Sequence, residues 1–150
     1  MFKHILLPTD GSKLSRDAVE MGIRLAQSLG ARVTGLFAAP SPTPVIYRDL
    51  VPVRQVSLQE HRKLIEQSAA RYLGMIEKAA RAAGVPCDVI TVTDDYPADA
   101  ILATAKKRKC DLICMASHGR RGLKGMLLGS ETQKVLSQST VPVLVCRKGG

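Results

Sequence analysis

Aromatic side chains are scarce in this sequence, whose 150 residues include two Phe, three Tyr and no Trp. Proteins that hold single-stranded nucleic acids stack the bases on such rings, so the composition argues against that class. The formal net charge of +9 would nevertheless admit a nucleic acid or another anionic surface as a partner. The one dense basic run, Lys106–Lys109, falls where a helix is expected to end, and cations favour the negative end of the helix dipole. We therefore interpret the run as a solvated helix end and rank nucleic-acid binding as the weakest hypothesis.

Long apolar segments are also missing. The longest apolar runs, such as Ile5–Leu7 and Val141–Val145, are far shorter than a membrane span. The first residues lead directly into a strand pattern and do not resemble a signal peptide. We therefore expect a cytoplasmic protein without membrane contact.

Cysteine is present, but without the spacing of a metal or redox motif. No C-x-x-C pair occurs, and no His, Asp or Glu cluster has the spacing of metal ligands. All the cysteines lie in or beside apolar stretches, which predicts buried free thiols. They are Cys87, Cys110, Cys114 and Cys146.

Strand and helix patterns alternate along the whole chain. Serine residues at predicted helix starts, glycines at helix ends and a proline in a first turn mark the boundaries. The predicted strands are 3–8, 32–38, 89–92, 111–116 and 141–146. The predicted helices are 12–30, 57–84, 97–109 and 130–139, with a capping box at the start of the second and of the last. A proline-rich surface loop is predicted from 40 to about 56.

Five strands joined by four crossovers that contain helices predict a single α/β domain, 1–150, with a doubly wound, five-stranded parallel sheet. Such Rossmann-like sheets bind ligands beyond the carboxyl ends of their strands, where the strand order reverses. We therefore expect the site after the first and fourth strands.

A glycine-rich segment, Gly119–Ser130, connects the fourth strand to the last helix. Its glycines are Gly119, Gly122, Gly125 and Gly129. Glycine lets backbone N–H groups approach phosphate oxygens closely, and the following helix adds unpaired donors and a partial positive charge. Arg120, Arg121 and Lys124 could supply charge, and Ser130 and Thr132 could supply hydroxyls. The pattern matches neither a Walker A loop nor a dinucleotide fingerprint. The alternative to an anion site is therefore that the glycines only allow a tight connection, with Ser130 as a helix cap.

The sequence resembles the universal stress protein family over essentially its whole length. ATP-binding members carry Gly, two residues, Gly, nine residues, then Gly followed by Ser or Thr. This chain has Ala116, Gly119, Gly129 and Ser130 at those positions, so the spacing is intact and the first glycine is alanine. The family's early Pro-Thr-Asp appears as Pro8–Asp10.

The resemblance implies a strand order of 3-2-1-4-5 and a homodimer joined through the last strand. It also implies that ATP is bound, with Mg²⁺ carried by the phosphates. Asp10 would contact the nucleotide, and the backbone of Ala38 would meet the adenine. The alternative for Asp10 is a turn former only, as an aspartate in Thr-Asp-Gly-Ser often is. We expect Ala116 to have ordinary strand-end angles and ATP to be bound despite it. The candidate nucleotide contacts are Pro8, Thr9, Asp10, Ala38, Ala116, His118, Gly119, Arg120, Gly129, Ser130, Glu131 and Thr132.

The function expected from these features is that of a nucleotide-binding stress-response protein, a homodimeric switch acting on an unknown regulatory partner. No nucleophile and base are identifiable from spacing, so we predict no catalytic residue and no enzyme. One alternative is a slow ATPase or phosphotransferase. Another is a dimeric interaction module of the same family that binds no nucleotide.

Overall fold

The computed structural model describes residues 1–42, 57–120 and 127–147. Most of the predicted proline-rich loop, and Arg121, Gly122, Lys124 and Gly125, lie outside this part of the chain. The described elements alternate between strand and helix as predicted. They are β1 His4–Thr9, α1 Lys13–Leu29, β2 Arg32–Ala39, α2 Leu58–Ala82, β3 Cys87–Thr93, α3 Pro97–Lys107, β4 Leu112–Ala116, α4 Ser130–Gln138 and β5 Val143–Cys146.

The five strands form one parallel sheet in the order β3-β2-β1-β4-β5, which confirms the predicted fold and strand order. The order reverses between β1 and β4, so the crevice for a ligand opens at their carboxyl ends. β5 lies at one edge of the sheet and β3 at the other.

Apolar side chains bury both faces of the sheet. On one face, Ile5 and Leu7 of β1 pack in a cluster that includes Ile23 of α1 and Ile76 of α2. On the other face, Leu6 packs with residues of α3, β4 and α4. Each such side chain contributes about 1.5–3 kcal/mol when it is fully buried. The helices therefore hold the strand ends in fixed positions around the crevice.

Two predicted serine caps are present. The Ser15 amide donates to Ser12 Oγ (3.2 Å) at the start of α1, and the Glu60 amide donates to Ser57 Oγ (3.1 Å) at the start of α2. Gly30 ends α1 in the left-handed conformation, with φ 65°. These contacts confirm the predicted starts of α1 and α2 and the predicted end of α1.

The predicted capping box at the start of the last helix is wrong. Gly129 is the N-cap of α4, and Ser130 is already the first helical residue. The Gln133 side chain donates to the Leu128 carbonyl (3.1 Å) instead of folding back onto the helix start. α4 therefore begins without a side-chain cap.

Other boundaries also differ from the prediction; β3, for example, spans Cys87–Thr93 instead of 89–92. β5 begins at Val143, because Ser139 Oγ exchanges hydrogen bonds with the Val141 backbone (2.7 and 3.1 Å) and holds that segment in a turn. α3 ends at Lys107, and Lys109 adopts φ 57°, so the basic run does lie at a helix end. Among the described helices, none is both long and apolar enough to cross a membrane.

Candidate functional site

A cavity of about 440 Å³ opens at the carboxyl ends of β1, β2 and β4, beside the first turns of α3 and α4. Its volume falls in the range of small-molecule sites, roughly 300–1,000 Å³. All twelve candidate contacts predicted from the sequence lie in its lining. Sequence analysis did not identify the other lining residues, which are Ser15, Leu36, Phe37, Pro40, Asp94, Asp95, Pro97, Ile101 and Met115.

The backbone of β2 reaches the cavity at Ala38. Hydrogen bonds at the start of the strand show which residues face which neighbour: Arg32 donates to the Lys3 carbonyl beside β1 (3.0 Å). Val33 donates to the Pro86 carbonyl beside β3 (2.9 Å). Because successive residues of a parallel strand direct their backbone groups to opposite neighbours, Ala38 directs its N–H and C=O toward β1.

The partner strand ends before it can use the Ala38 carbonyl. The β1–β2 pairing stops at Thr9 and Phe37, while β2 continues to Ala39. The next amide on the β1 side, that of Gly11, donates to Thr9 Oγ1 (3.1 Å) instead. Gly11 has φ 78°, a conformation that turns the chain away from β2 and that glycine adopts without strain. Among the described residues, therefore, no backbone donor reaches the Ala38 carbonyl at the cavity.

Asp10 organises the turn after β1. Its Oδ1 accepts the Ser12 amide (2.9 Å) and its Oδ2 accepts the Arg120 amide (2.8 Å). Burial opposes ionisation, but the hydrogen bonds from Ser12, from the Arg120 amide and from Ser15 outweigh it and lower the Asp10 pKa below its usual value. Asp10 therefore joins the end of β1 to the loop that follows β4 by a carboxylate that stays ionised at neutral pH.

Arg120 is held by three groups. Its Nε donates to the Asp10 carbonyl (2.9 Å), its NH2 donates to Tyr72 Oη (3.1 Å), and its guanidinium lies 5.7 Å from the centre of the Tyr72 ring. The side chain is exposed, so each contact is weak by itself. Together they place a positive charge at the rim of the cavity and connect it to α2.

The amino terminus of α4 forms another wall. The Gly129 amide donates to the Ser117 carbonyl (2.7 Å), which fixes the helix start against the end of β4. Gly129 has no side chain to cap the helix, and Ser130 is exposed. The uncapped first turn of α4 therefore lies in the cavity wall, where its free amides and the positive end of the helix dipole suit an anion.

Two predicted contacts on α4 also have structural roles. Thr132 is buried and its hydroxyl donates to the Ala116 carbonyl (2.9 Å). Glu131 Oε2 accepts the Ala98 amide (2.6 Å) and so caps α3, whose own N-cap residue Tyr96 makes no side-chain cap. Both residues line the cavity, and their contact with a nucleotide remains a prediction.

The remaining candidates lie at the ends of β1 and β4. Pro8 and Thr9 line the cavity from β1, and His118 Nδ1 lies 3.3 Å from Ser117 Oγ. Ala116 ends β4 and has no positive φ. The expectation of ordinary strand-end angles at Ala116 is therefore confirmed, and the missing glycine costs space rather than backbone strain.

Carboxylates outnumber cations in the described lining. Asp94 and Asp95 follow β3 and join Asp10 and Glu131, against the single guanidinium of Arg120. Asp94 Oδ1 accepts the Tyr96 amide (2.9 Å) and Asp95 Oδ1 accepts the Ser41 amide (2.8 Å). Both residues follow the third strand, so the carboxyl-end rule identifies them when it is extended beyond the strands where the order reverses. Within the described residues, no group of three or more His, Cys, Asp or Glu side chains could hold a metal ion.

Comparisons with known proteins agree with the resemblance noted in the sequence. A model of the universal stress protein family matches residues 1–147. The universal stress protein YxiE of Bacillus subtilis is 32% identical over 149 residues, which cover 98% of this chain and 100% of that protein.

Solved structures with the same fold support the same grouping. The structure of MJ0577 from Methanocaldococcus jannaschii has a TM-score of 0.81 and 27% identity, and covers 100% of this chain and 99% of its own. A universal stress protein solved in complex with cAMP has a TM-score of 0.70 and 25% identity, with 99% of each chain covered.

Proposed function

Because this chain belongs to the universal stress protein family, we propose that it is an ATP-binding stress-response protein that acts as a homodimeric switch and not as an enzyme. The proposal rests on one observation: the same cavity has the free Ala38 carbonyl on one side and the uncapped start of α4 on another. A carbonyl suits an adenine amino group, and bare helix amides suit phosphate.

The Ala38 carbonyl favours adenine over guanine. The amino group on C6 of adenine would donate a hydrogen bond to this oxygen, whereas guanine carries an acceptor at the same position. The Ala38 carbonyl and the guanine oxygen would then face each other without a hydrogen bond, and each unsatisfied acceptor costs about 1–3 kcal/mol when it is buried. Leu36, Ile101 and Met115 in the lining offer apolar surface for the base. The cAMP held by the related protein shares its adenine with ATP.

The phosphates would lie at the start of α4. Its first-turn amides and the Ser130 hydroxyl are the donors, and Gly119 and Gly129 let the backbone approach closely. The nearby carboxylates oppose a bare polyanion, so Mg²⁺ bound to the phosphates would lower the electrostatic cost of binding. Within the described residues, no three His, Cys, Asp or Glu side chains are grouped so that they could hold a metal ion, which is typical of Mg²⁺ that arrives with a nucleotide.

A switch also needs a surface that responds to the ligand. We propose that β5, an edge strand with exposed Leu144, pairs with a second copy of the chain, because an uncovered apolar edge invites strand pairing. Ser117 joins this edge to the cavity, since its amide donates to the Cys146 carbonyl (2.8 Å) at the end of β5. An unidentified regulatory protein in the cytoplasm would bind differently to the nucleotide-bound and nucleotide-free forms of this surface.

Calorimetric titration with ATP and with GTP, each with Mg²⁺, tests the proposal. We expect ATP to bind at least about tenfold more tightly than GTP, or about 1.4 kcal/mol. Gly129→Val should weaken ATP binding by at least about tenfold, because a Cβ there would lie 3.1–3.2 Å from His118 Cβ and Cα and the branched side chain would enter the phosphate site.

Gly74→Val is the matched control, since a Cβ at Gly74 on α2 meets nothing within 4 Å. The assignment of the site is wrong if the folded Gly129 variant binds ATP like the parent. Phosphate release in the same samples decides between a switch and the alternative of a slow ATPase. Absence of any nucleotide binding would instead favour a purely dimeric interaction module.

A further inference from the structure

Two of the cysteines lie at diagonal positions on neighbouring strands, since Cys114 is paired with Leu144 and Cys146 with Ala116. Cys114 Sγ of β4 and Cys146 Sγ of β5 are 3.8 Å apart. Cys114 is fully buried and its thiol also contacts the Ala18 carbonyl of α1 (3.5 Å), while Cys146 is partly exposed at the sheet edge. In the single chain, Cys146 is therefore the thiol of the pair that is more open to a small oxidant.

Cys146 is also connected to the cavity by the backbone. Its carbonyl accepts the Ser117 amide (2.8 Å), and the Ser117 carbonyl accepts the Gly129 amide (2.7 Å). Gly129 is the N-cap of α4 and lines the cavity. Two hydrogen bonds in series thus join the thiol pair to the proposed phosphate site.

We propose that Cys114 and Cys146 form a reversible disulfide that couples the redox state of the protein to the shape of the cavity. The disulfide itself is independent of the proposed function, whereas an effect on nucleotide binding rests on it. The oxidant that fits this site is a hydroperoxide, which is small and supplies both oxidising equivalents.

The chemistry proceeds in two balanced steps. The Cys146 thiol gives up its proton, and its thiolate attacks one oxygen of the hydroperoxide. The O–O bond breaks, Cys146 sulfenic acid forms, and the leaving oxygen takes up that proton and departs as an alcohol, or as water from hydrogen peroxide. Cys114 sulfur then attacks the Cys146 sulfur, the S–O bond breaks, and the thiol proton leaves with the hydroxide as water. A dithiol reductant reverses the reaction through a mixed disulfide.

The environments of the thiols set this order. Burial, and then the neighbouring Cys146, raise the pKa of Cys114, so Cys114 is a poor first nucleophile and suits the second step. Burial and the Asp88 carboxylate also raise the pKa values of Cys87 and Cys110 to about 11 each. Among the described residues, neither Cys87 nor Cys110 makes a hydrogen-bond contact with the sulfur of another cysteine. They therefore serve as internal controls.

Bond formation must move the end of β5. The two sulfurs have to approach from 3.8 Å to about 2.05 Å. α1 packs closely over Cys114, since a Cβ at Gly22 would lie 3.3 Å from its sulfur, so Cys146 is the residue that is free to shift. Such a shift lengthens the Ser117–Cys146 hydrogen bond and loosens the Gly129 contact behind it.

Peptide mapping by mass spectrometry after treatment of the whole protein with hydrogen peroxide tests the disulfide. We expect one intramolecular Cys114–Cys146 bridge that a dithiol removes, with Cys87 and Cys110 still open to alkylation after unfolding. Cys146→Ser should form no intramolecular bridge. Four free thiols, a bridge that includes Cys87 or Cys110, or a bridge between two chains would each overturn the proposal.

Amide hydrogen exchange tests the coupling without any nucleotide. In the oxidised protein, the Ser117 and Gly129 amides should exchange roughly two- to tenfold faster, as expected when one hydrogen bond weakens. The Cys146→Ser protein should show no change on peroxide treatment. Equal exchange rates in the oxidised and reduced proteins would overturn the coupling. ATP titration of the reduced protein tests the proposed function separately.

Discussion

Replacement of Gly119 by alanine should destabilise the protein, although alanine usually stabilises a chain in place of glycine. A Cβ at this position would overlap Oδ2 of Asp10, which would have to move away from the Arg120 amide that it accepts at 2.8 Å. A hydrogen bond to a charged group contributes about 1.5–3 kcal/mol. Alanine lowers the conformational entropy of the unfolded chain, which raises the free energy of unfolding by about 0.4–1 kcal/mol. The net loss in the free energy of unfolding should be about 1.5 kcal/mol.

The same substitution at Gly74 is the control. A Cβ there meets nothing within 4 Å and lies inside α2, so Gly74→Ala should stabilise the protein by about 1 kcal/mol. Urea unfolding of the parent and both variants gives the free energies directly. If the two variants are stabilised equally, Asp10 does not hold the loop after β4 as described. ATP titration of the folded Gly119 variant should show at least about tenfold weaker binding, because the Arg120 amide moves with the loop.

Three further predictions concern other parts of the chain. Ala116→Gly should tighten ATP binding by no more than about tenfold, and a parent that binds nothing at millimolar ATP while the variant binds well would show that the methyl group closes the cavity. Leu144→Lys on the exposed side of β5 should shift the protein toward monomer in light scattering, and an unchanged dimer would place the interface elsewhere. Burial, and then the nearby Arg32 charge, lower the pKa of His4 below its usual 6.5, so the unfolded chain takes up the proton first. The free energy of unfolding should therefore fall as the pH drops below about 6.5 and level off below the folded pKa, and His4→Gln should reduce this slope in urea unfolding at a series of pH values.

The order of the elements was predictable because their signals are local. Alternating strand and helix periods, Ser12 and Ser57 as caps and Gly30 as a helix end are read from neighbouring residues. The carboxyl-end rule places the site after the first and fourth strands, and the family resemblance supplies the strand order. The cavity contains every residue that the resemblance indicated.

The details that sequence reasoning missed depend on residues far apart in the chain. Glu131 caps α3 only because the fold brings the starts of α3 and α4 together, 33 positions apart in sequence. The Arg120–Tyr72 contact spans 48 positions and has no local signature. The error at Ser130 has a local cause: a serine followed three residues later by glutamine fits a capping box, but Gly129 is equally able to adopt N-cap angles.

Under the proposed function, the bare start of α4 would make the ligand a structural component of this helix. α4 has nine residues, a length at which an isolated helix is marginal, and its first-turn amides have no side-chain cap. A bound phosphate would satisfy those amides and so act as the missing cap. Ligand at about one hundred times its Kd would then add about 2.7 kcal/mol to the free energy of unfolding. If the proposed nucleotide binds there, the resistance of the α4–β5 segment to proteolysis should rise with the nucleotide concentration.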